Sequence, residues 1–305
     1  MIYNYFLKYY LEVADEKSES HFSHFEKLSD VIISLFINRI EQKKINFKNE
    51  RLYFINLIAQ KFLLHVFSIK KLVEGIELES KSKGFITSTT DPFSVHSLTR
   101  VLIESYLVQN YLSNRLEDED ILDGRFDIWM RYGLRHRGIE PETKEEHKVT
   151  EADKNSIEIL EENIKKRKFF LELSETKKET FLKQINKRWK FIFDGEDFRP
   201  VSWKELIKLT GIKEGTNNNV YNFLSWHSHS GSISILQLKN MWDEDFDKVS
   251  IKVSINKINM FIGFLVSDIV YSDEEFKNSF NKLSHDLKDV VNFYNISNRG
   301  EKYCI

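Results

Sequence analysis

Two charged residues stand in a stretch of the chain that is otherwise apolar. Between residues 93 and 112, Arg100 and Glu104 are the only formal charges. They lie four positions apart, so on a helix they share one face and can form an ion pair. A buried charge is costly unless it is paired. Two interpretations follow: an interior ion pair that fixes helices together, or an arginine that a glutamate orients to hold an anion.

A second polar set lies further along, between residues 221 and 231. Tyr221, Ser225 and His229 are spaced by four, so on a helix they share a face, and Trp226 anchors a neighbouring side. His227 lies two positions before His229, and residues two apart on a helix do not face each other, which argues against a shared metal. One interpretation of His229 is a hydrogen-bonded core residue. The other is a reactive group, since its ordinary pKa lies near neutral pH.

A third candidate is the segment from Arg131 to His136, which matches the Arg-x4–6-His pattern of HEPN ribonucleases. The pattern is short enough to arise by chance in a chain of this length, so an exposed helix surface is the alternative. A basic run, Lys165-Lys166-Arg167-Lys168, predicts either a solvated face or a phosphate contact. We find no glycine-rich phosphate loop, Gly-x-Ser-x-Gly elbow or His-Glu-x-x-His helix, and we predict neither a metal nor a cofactor.

The elements that must position these residues are predicted to be helices. Apolar residues recur at helical spacing over residues 21–41 and 51–79, and Asp91 followed by Pro92 is typical of a helix start. Further helices are predicted over residues 119–137, 156–173, 177–193, 217–238 and 249–271. Ser202 with Glu205, and Ser272 with Glu275, match the capping box. Residues 80–90 and 195–201 are predicted as loops, and the alternation over 248–255 leaves a short strand there open.

Composition agrees with a helical protein that builds its own core. The chain has 305 residues, of which 41% are apolar, 30% are charged and only three are proline. We therefore predict an all-α multi-helix bundle of long antiparallel helices. We predict one domain over residues 1–305, in which N-terminal helices (1–90) pack on a core (91–295).

Charge and cysteine content limit the classes of function. The net charge of −2 argues against a broadly basic nucleic-acid surface, although 45 Lys and Arg leave room for a local basic groove. The single cysteine, Cys304, excludes an intrachain disulfide and a cysteine-based zinc site. No signal peptide or membrane span is predicted, so we expect a cytoplasmic protein.

The two polar sets together resemble a prokaryotic helical family, domain of unknown function 5677. Arg100 and Glu104 match the family's Arg-x3-Glu helix. Trp203, followed by a short helix and Gly211, and then Tyr221, Ser225 and His229, resembles its second block. The chain departs from the family where Ser230 separates His229 from the following glycine. The resemblance covers residues 95–235.

The resemblance implies a function only through a further likeness of this family to HEPN-like helical domains. Many of those are metal-independent endoribonucleases of toxin–antitoxin and anti-phage systems. On that basis His229, Arg100 and Glu104 are the expected catalytic residues. Expected substrate contacts come from Tyr221, Ser225, Trp226, Arg131 and His136. The expected partners are RNA, a defence-system protein and a second copy of the chain.

The alternative belongs to another class of protein. The chain could be a non-catalytic helical sensor or interaction protein, in which Arg100, Glu104 and His229 form a structural network or bind a small anion. The sequence leaves this choice open.

Overall fold

A computed structural model describes residues 2–15, 19–41, 50–138, 140–213 and 246–305 of the chain. The described part is predominantly α-helical, which confirms the predicted all-α multi-helix class. In chain order the helices are α1 (Ile2–Ala14), α2 (Ser20–Glu41), α3 (Glu50–Glu74), α4 (Pro92–Ser113), α5 (Glu119–Arg135), α6 (Lys144–Lys166), α7 (Lys168–Leu171), α8 (Glu175–Gln184), α9 (Trp203–Leu209), α10 (Phe246–Ser272), α11 (Glu274–Asn281) and α12 (His285–Asn298). A short 3-10 helix, Glu301–Tyr303, follows.

Two antiparallel hairpins interrupt the helices, and the sequence did not predict either. Strands β1 (Ile76–Ser80) and β2 (Gly84–Thr89) form the first, with a register shift after Leu78. The predicted helix over 51–79 therefore ends at Glu74, and Gly75 follows with φ of 106°, a left-handed conformation that suits glycine at a helix end. Strands β3 (Phe191–Asp194) and β4 (Asp197–Pro200) form the second. Gly195 has φ of 54° in its tight turn.

The chain divides into two compact units. The first contains residues 1–110 and 210–305. Its centre is α10, an apolar helix that packs against α2, α3, α11 and α12. Since α10 is covered on most sides, its apolar residues do not form one stripe but surround the helix. The short strand that the alternation over 248–255 left open does not form, because the segment belongs to α10.

The second unit contains residues 111–209. It has α5 packed along α6, the short helices α7, α8 and α9, and the β3–β4 hairpin. It has an apolar core of its own, built by Ile128, Ile164, Phe169, Phe170, Leu173, Phe181, Ile185 and Phe191. The predicted arrangement of one 1–305 domain, with helices 1–90 on a 91–295 core, stays a prediction.

The sequence predicted three helix starts from capping signals. Two caps form at the predicted residue, and the third lies one residue later. The Asp91 side chain accepts hydrogen bonds from the N–H groups of Phe93 and Ser94, as predicted. Ser202 and Glu205 form the predicted reciprocal pair at α9. At α11, however, the cap is Asp273 and not Ser272. The Asp273 carboxylate accepts hydrogen bonds from the N–H groups of Glu275 and Phe276, which have no partner within the helix.

Two described helices are long and apolar enough to cross a membrane if length and composition alone are considered. They are α3, whose apolar window is 33% buried, and α10, whose window is 83% buried. Core helices of soluble proteins pass the same test, so these two helices are weak evidence for a membrane protein.

Candidate functional site

The predicted Arg100–Glu104 pair forms within α4. The Nε of Arg100 donates to Oε1 of Glu104 at 2.9 Å. The side chains keep 18% and 25% of their surface exposed, respectively. This hydrogen bond joins two turns of one helix, and it fixes the plane of the guanidinium group. A partly exposed, oriented arginine is the kind of group that holds a phosphate or carboxylate.

The same helix contributes to a buried network that sequence analysis missed. The Asp268 carboxylate of α10 accepts hydrogen bonds from Tyr106 at 2.8 Å and Asn110 at 2.9 Å. It also accepts from Arg299 at 2.9 Å, in an ion pair whose side chains are only 5% and 1% exposed. The Arg299 guanidinium lies 3.7 Å from the centre of the Tyr303 ring. With its charges paired and its surface covered, this network is architectural.

His96 is a second buried polar residue of α4. Its Nδ1 lies 2.6 Å from the Ser254 hydroxyl and its Nε2 lies 2.8 Å from that of Ser250. Both ring nitrogens are therefore engaged by α10, and the ring has no measurable exposure. Contacts of this kind fix the register of two helices and do not form an open site.

Two further histidines, on α2, are buried in the first unit. His24 lies 3.1 Å from the Tyr294 hydroxyl and 3.1 Å from Glu12. Burial lowers its pKa, an effect that the Glu12 carboxylate opposes. Burial lowers the pKa of His21 to about 4, helped by the positive charge of Lys252. Both rings are thus neutral at pH 7, and His24 belongs to the packing of α1, α2 and α12.

The predicted partners of Arg100 in the second polar set fall on residues that the structure does not describe. Tyr221, Ser225, Trp226 and His229 lie outside the described residues. Their assignment to catalysis and substrate binding stays a prediction.

The Arg-x4–6-His match places its two ends in different surroundings. Arg131 is buried, and its Nε donates to Glu161 at 2.8 Å while its Nη1 donates to the carbonyl oxygen of Ile185. His136 is exposed and stacks on Tyr132, with ring centres 4.1 Å apart. No contact joins Arg131 and His136 in the part of the chain that the structure describes. Their substrate role stays a prediction, while the Arg131 contacts are those of a structural ion pair.

The basic run of residues 165–168 is engaged by carboxylates. Arg167 donates to Asp127 at 2.8 Å and to Asp123 at 3.4 Å. Lys165 pairs with Glu162 at 2.8 Å. These contacts favour the solvated, internally paired face over the phosphate contact.

No cluster of three or more His, Cys, Asp or Glu side chains that could hold a metal occurs among the described residues. These residues form a helical scaffold with buried polar networks and with the oriented, partly exposed pair of Arg100 and Glu104. Comparison with known proteins then assigns the chain to a family. Residues 62–249 match the family of unknown function DUF5677, and the chain belongs to that family. The comparisons with curated proteins and with solved structures found no match.

Proposed function

We propose that the protein is a HEPN-like, metal-independent endoribonuclease of a prokaryotic toxin or anti-phage system. The observation that carries the proposal is the Arg100–Glu104 pair, since it presents a fixed guanidinium group at a partly exposed position of α4. Arg100, Glu104 and the candidate His229 all lie within the span that matches the family. We propose the prokaryotic origin and the HEPN-like relationship on the same basis.

Each residue has a separate role in the proposed reaction. His229 takes the proton from a ribose 2′-hydroxyl, whose oxygen attacks the adjacent phosphorus. As the bond to the 5′-oxygen breaks, the protonated His229 returns the proton to that oxygen, and the products are a 2′,3′-cyclic phosphate and a 5′-hydroxyl. Arg100 stabilises the charge that develops on the phosphate, and Glu104 orients Arg100. Tyr221 and Ser225 donate hydrogen bonds, and Trp226 contacts a base. Single-stranded RNA is the expected substrate because its bases can stack on aromatic side chains.

The test is cleavage of total RNA in the presence of a chelator. We expect wild type to cleave, and we expect His229→Ala and Arg100→Ala to lose at least about a hundredfold in rate. Both members of the pair lie in one helix, so the pair joins no separate elements, and Arg100→Ala should stay folded. Arg137→Ala is the control, because Arg137 also pairs with a carboxylate, that of Asp153. Equal cleavage by wild type and His229→Ala would rule out this assignment.

A second function is favoured by a different observation. The hydrogen bonds from α4 to α10 through His96, Tyr106 and Asn110 are architectural. A non-catalytic sensor or interaction protein would use Arg100 in the same way. Under that hypothesis Arg100→Ala lowers stability while His229→Ala changes no measured property.

The proposal extends to partners and location. RNA is the proposed substrate, and a defence-system protein and a second copy of the chain are the proposed protein partners. The proposed location is the cytoplasm, without membrane attachment.

A further inference from the structure

The second unit has a basic and aromatic surface at the open end of the β3–β4 hairpin. Strand pairing joins Phe191 to Pro200, and the N–H of Val201 donates to the carbonyl oxygen of Lys190 at 3.1 Å. The chain entering β3 and the chain leaving β4 therefore lie side by side. As a result, residues 187–190, which read Lys-Arg-Trp-Lys, lie beside the start of α9 at Trp203.

Two tryptophans are fixed at this end. The rings of Trp189 and Trp203 meet edge to face, with centres 6.0 Å apart. The Lys190 ammonium lies 3.9 Å from the centre of the Trp203 ring and 5.3 Å from that of Trp189. Tyr111 packs against Trp189 and accepts a hydrogen bond from the N–H of Phe191, so the cluster is tied to the strand. Both indoles remain partly exposed.

Four exposed cations lie near the tryptophans in the sequence: Lys187, Arg188, Lys204 and Lys208. None of the four makes an ion pair within the part of the chain that the structure describes. The neighbouring carboxylate, Glu205, is already engaged by Arg199 and by the N–H of Ser202. The acidic residues of the hairpin, Asp194, Glu196 and Asp197, are at its opposite, turn end. Positive charge is therefore concentrated at the open end.

We propose that this basic–aromatic surface binds single-stranded RNA. The exposed lysines and Arg188 would contact phosphates, and the partly exposed indoles would stack on bases. Stacking requires unstacked bases, which excludes a regular duplex. A lipid surface fits less well, because both indoles are held in aromatic and cation contacts and do not project from a mobile apolar segment. The inference rests on the proposed function for its choice of RNA, and it adds a binding surface in the second unit, whereas Arg100 belongs to the first.

The experiment measures binding of a labelled, short oligouridine to the full chain by fluorescence anisotropy across a range of salt concentrations. The test variant is Lys204→Glu/Lys208→Glu. Its matched control is Lys148→Glu/Lys154→Glu on α6, which makes the same change in net charge at two exposed lysines. A third variant, Trp203→Phe, removes the larger stacking surface and keeps an aromatic residue in the core contact.

We expect wild type and control to bind alike, and the test variant to bind at least about tenfold more weakly at low salt. If both lysines contact phosphates, the slope of log affinity against log salt should fall by about 1.4, at about 0.7 for each contact to a single strand. Trp203→Phe should weaken binding by several-fold with an unchanged salt slope. Equal binding by test and control variants would overturn the inference, as would no RNA binding by wild type.

Two outcomes separate this inference from the proposed function. RNA binding that depends on Lys204 and Lys208, without any cleavage, would support the surface and reject the ribonuclease. Cleavage that is unchanged in the test variant would support the ribonuclease and reject the surface. Binding to phosphatidylserine vesicles but not to oligouridine would replace RNA with an anionic membrane, and would overturn the inference.

Discussion

Arginine residues in this chain differ in what their guanidinium groups contact. Arg299 is nearly fully buried against Asp268 and the Tyr303 ring, whereas Arg137 is paired with Asp153 at the surface. The free-energy cost of truncation should follow this difference, since removing one member of a buried pair leaves the other charge uncompensated.

We predict that Arg299→Ala lowers the free energy of unfolding by about 3–5 kcal/mol, because Asp268 stays buried without its cation. Urea unfolding followed by circular dichroism measures this change. Arg137→Ala is the control and should cost less than about 1 kcal/mol. A loss for Arg299→Ala no larger than that of the control would show that the Asp268 network is not what holds α10 to α12.

His21 gives a prediction about pH. Its pKa is lowered from the ordinary 6.5 to about 4 by burial, so the unfolded chain takes up a proton at a higher pH than the folded chain does. The free energy of unfolding is therefore not reduced by His21 above pH 6.5. It falls as the pH drops from 6.5 toward 4, by at most about 3 kcal/mol.

The measurement compares unfolding free energies of wild type and His21→Leu between pH 4 and pH 7. The difference between the two curves isolates His21 from other groups that titrate in this range. We expect the stability of wild type to fall more steeply on acidification than that of the variant. Parallel curves would mean that His21 has the same pKa in the folded and the unfolded chain, and would contradict the prediction.

Sequence spacing predicted the Arg100–Glu104 contact because both residues lie in one helix, where positions four apart must be neighbours. It could not predict that Asp268 binds Tyr106 and Arg299, since those residues lie far apart in the sequence. Nothing local in the sequence encodes such a contact. Asp268 lies in an apolar stretch of α10, and the identity of its partners depends on the tertiary packing.

Elements were predictable where one local signal decided the conformation. The helix after Pro92 begins as its cap requires, whereas both hairpins were missed. Residues 191–200 are too short for an alternation pattern to stand out, and Phe193 continued the apparent helical pattern of the preceding segment. The pairing of β3 with β4 buries Phe191 in the core of the second unit, and that tertiary contact outweighs helix propensity.

Helix α5 offers a matched pair of glycines. A Cβ at Gly124 would lie 2.3 Å from Cε1 of Phe169, whereas a Cβ at Gly133 meets nothing within 4 Å. We therefore predict that Gly124→Ala destabilises the protein by about 1–3 kcal/mol through overpacking. Gly133→Ala should stabilise it by up to about 1 kcal/mol through helix propensity.

Thermal unfolding of the two variants tests this prediction, with circular dichroism as the signal. The two substitutions are chemically identical and lie in one helix, so their opposite effects would report packing alone. Stabilisation by both would show that Phe169 moves aside at little cost and that α5 and α7 are loosely packed.

At the scale of the whole molecule, the two units differ in how the chain builds them. The first is assembled from residues 1–110 and 210–305, so its core needs both ends of the chain. The second is continuous in sequence, from 111 to 209, and has its own core of aromatic and aliphatic side chains. A continuous segment of this length with its own core is the size of an ordinary domain.

We predict that residues 111–209, expressed alone, fold cooperatively. The buried contacts of Phe181 with Phe169 and Phe191 are internal to this segment, as is the ion pair of buried Arg131 with Glu161. Urea unfolding should give one transition, coincident by near- and far-ultraviolet circular dichroism.

Phe181→Ala in the isolated segment is the control for a specific core, and we expect it to lose about 3–5 kcal/mol. A segment that retains its helices but lacks near-ultraviolet signal and binds a hydrophobic dye would contradict the prediction. In that case residues 111–209 would need the rest of the chain to fix their packing. That outcome would favour the single 1–305 domain expected from the sequence, because a core that forms only in the full chain is not a separate domain.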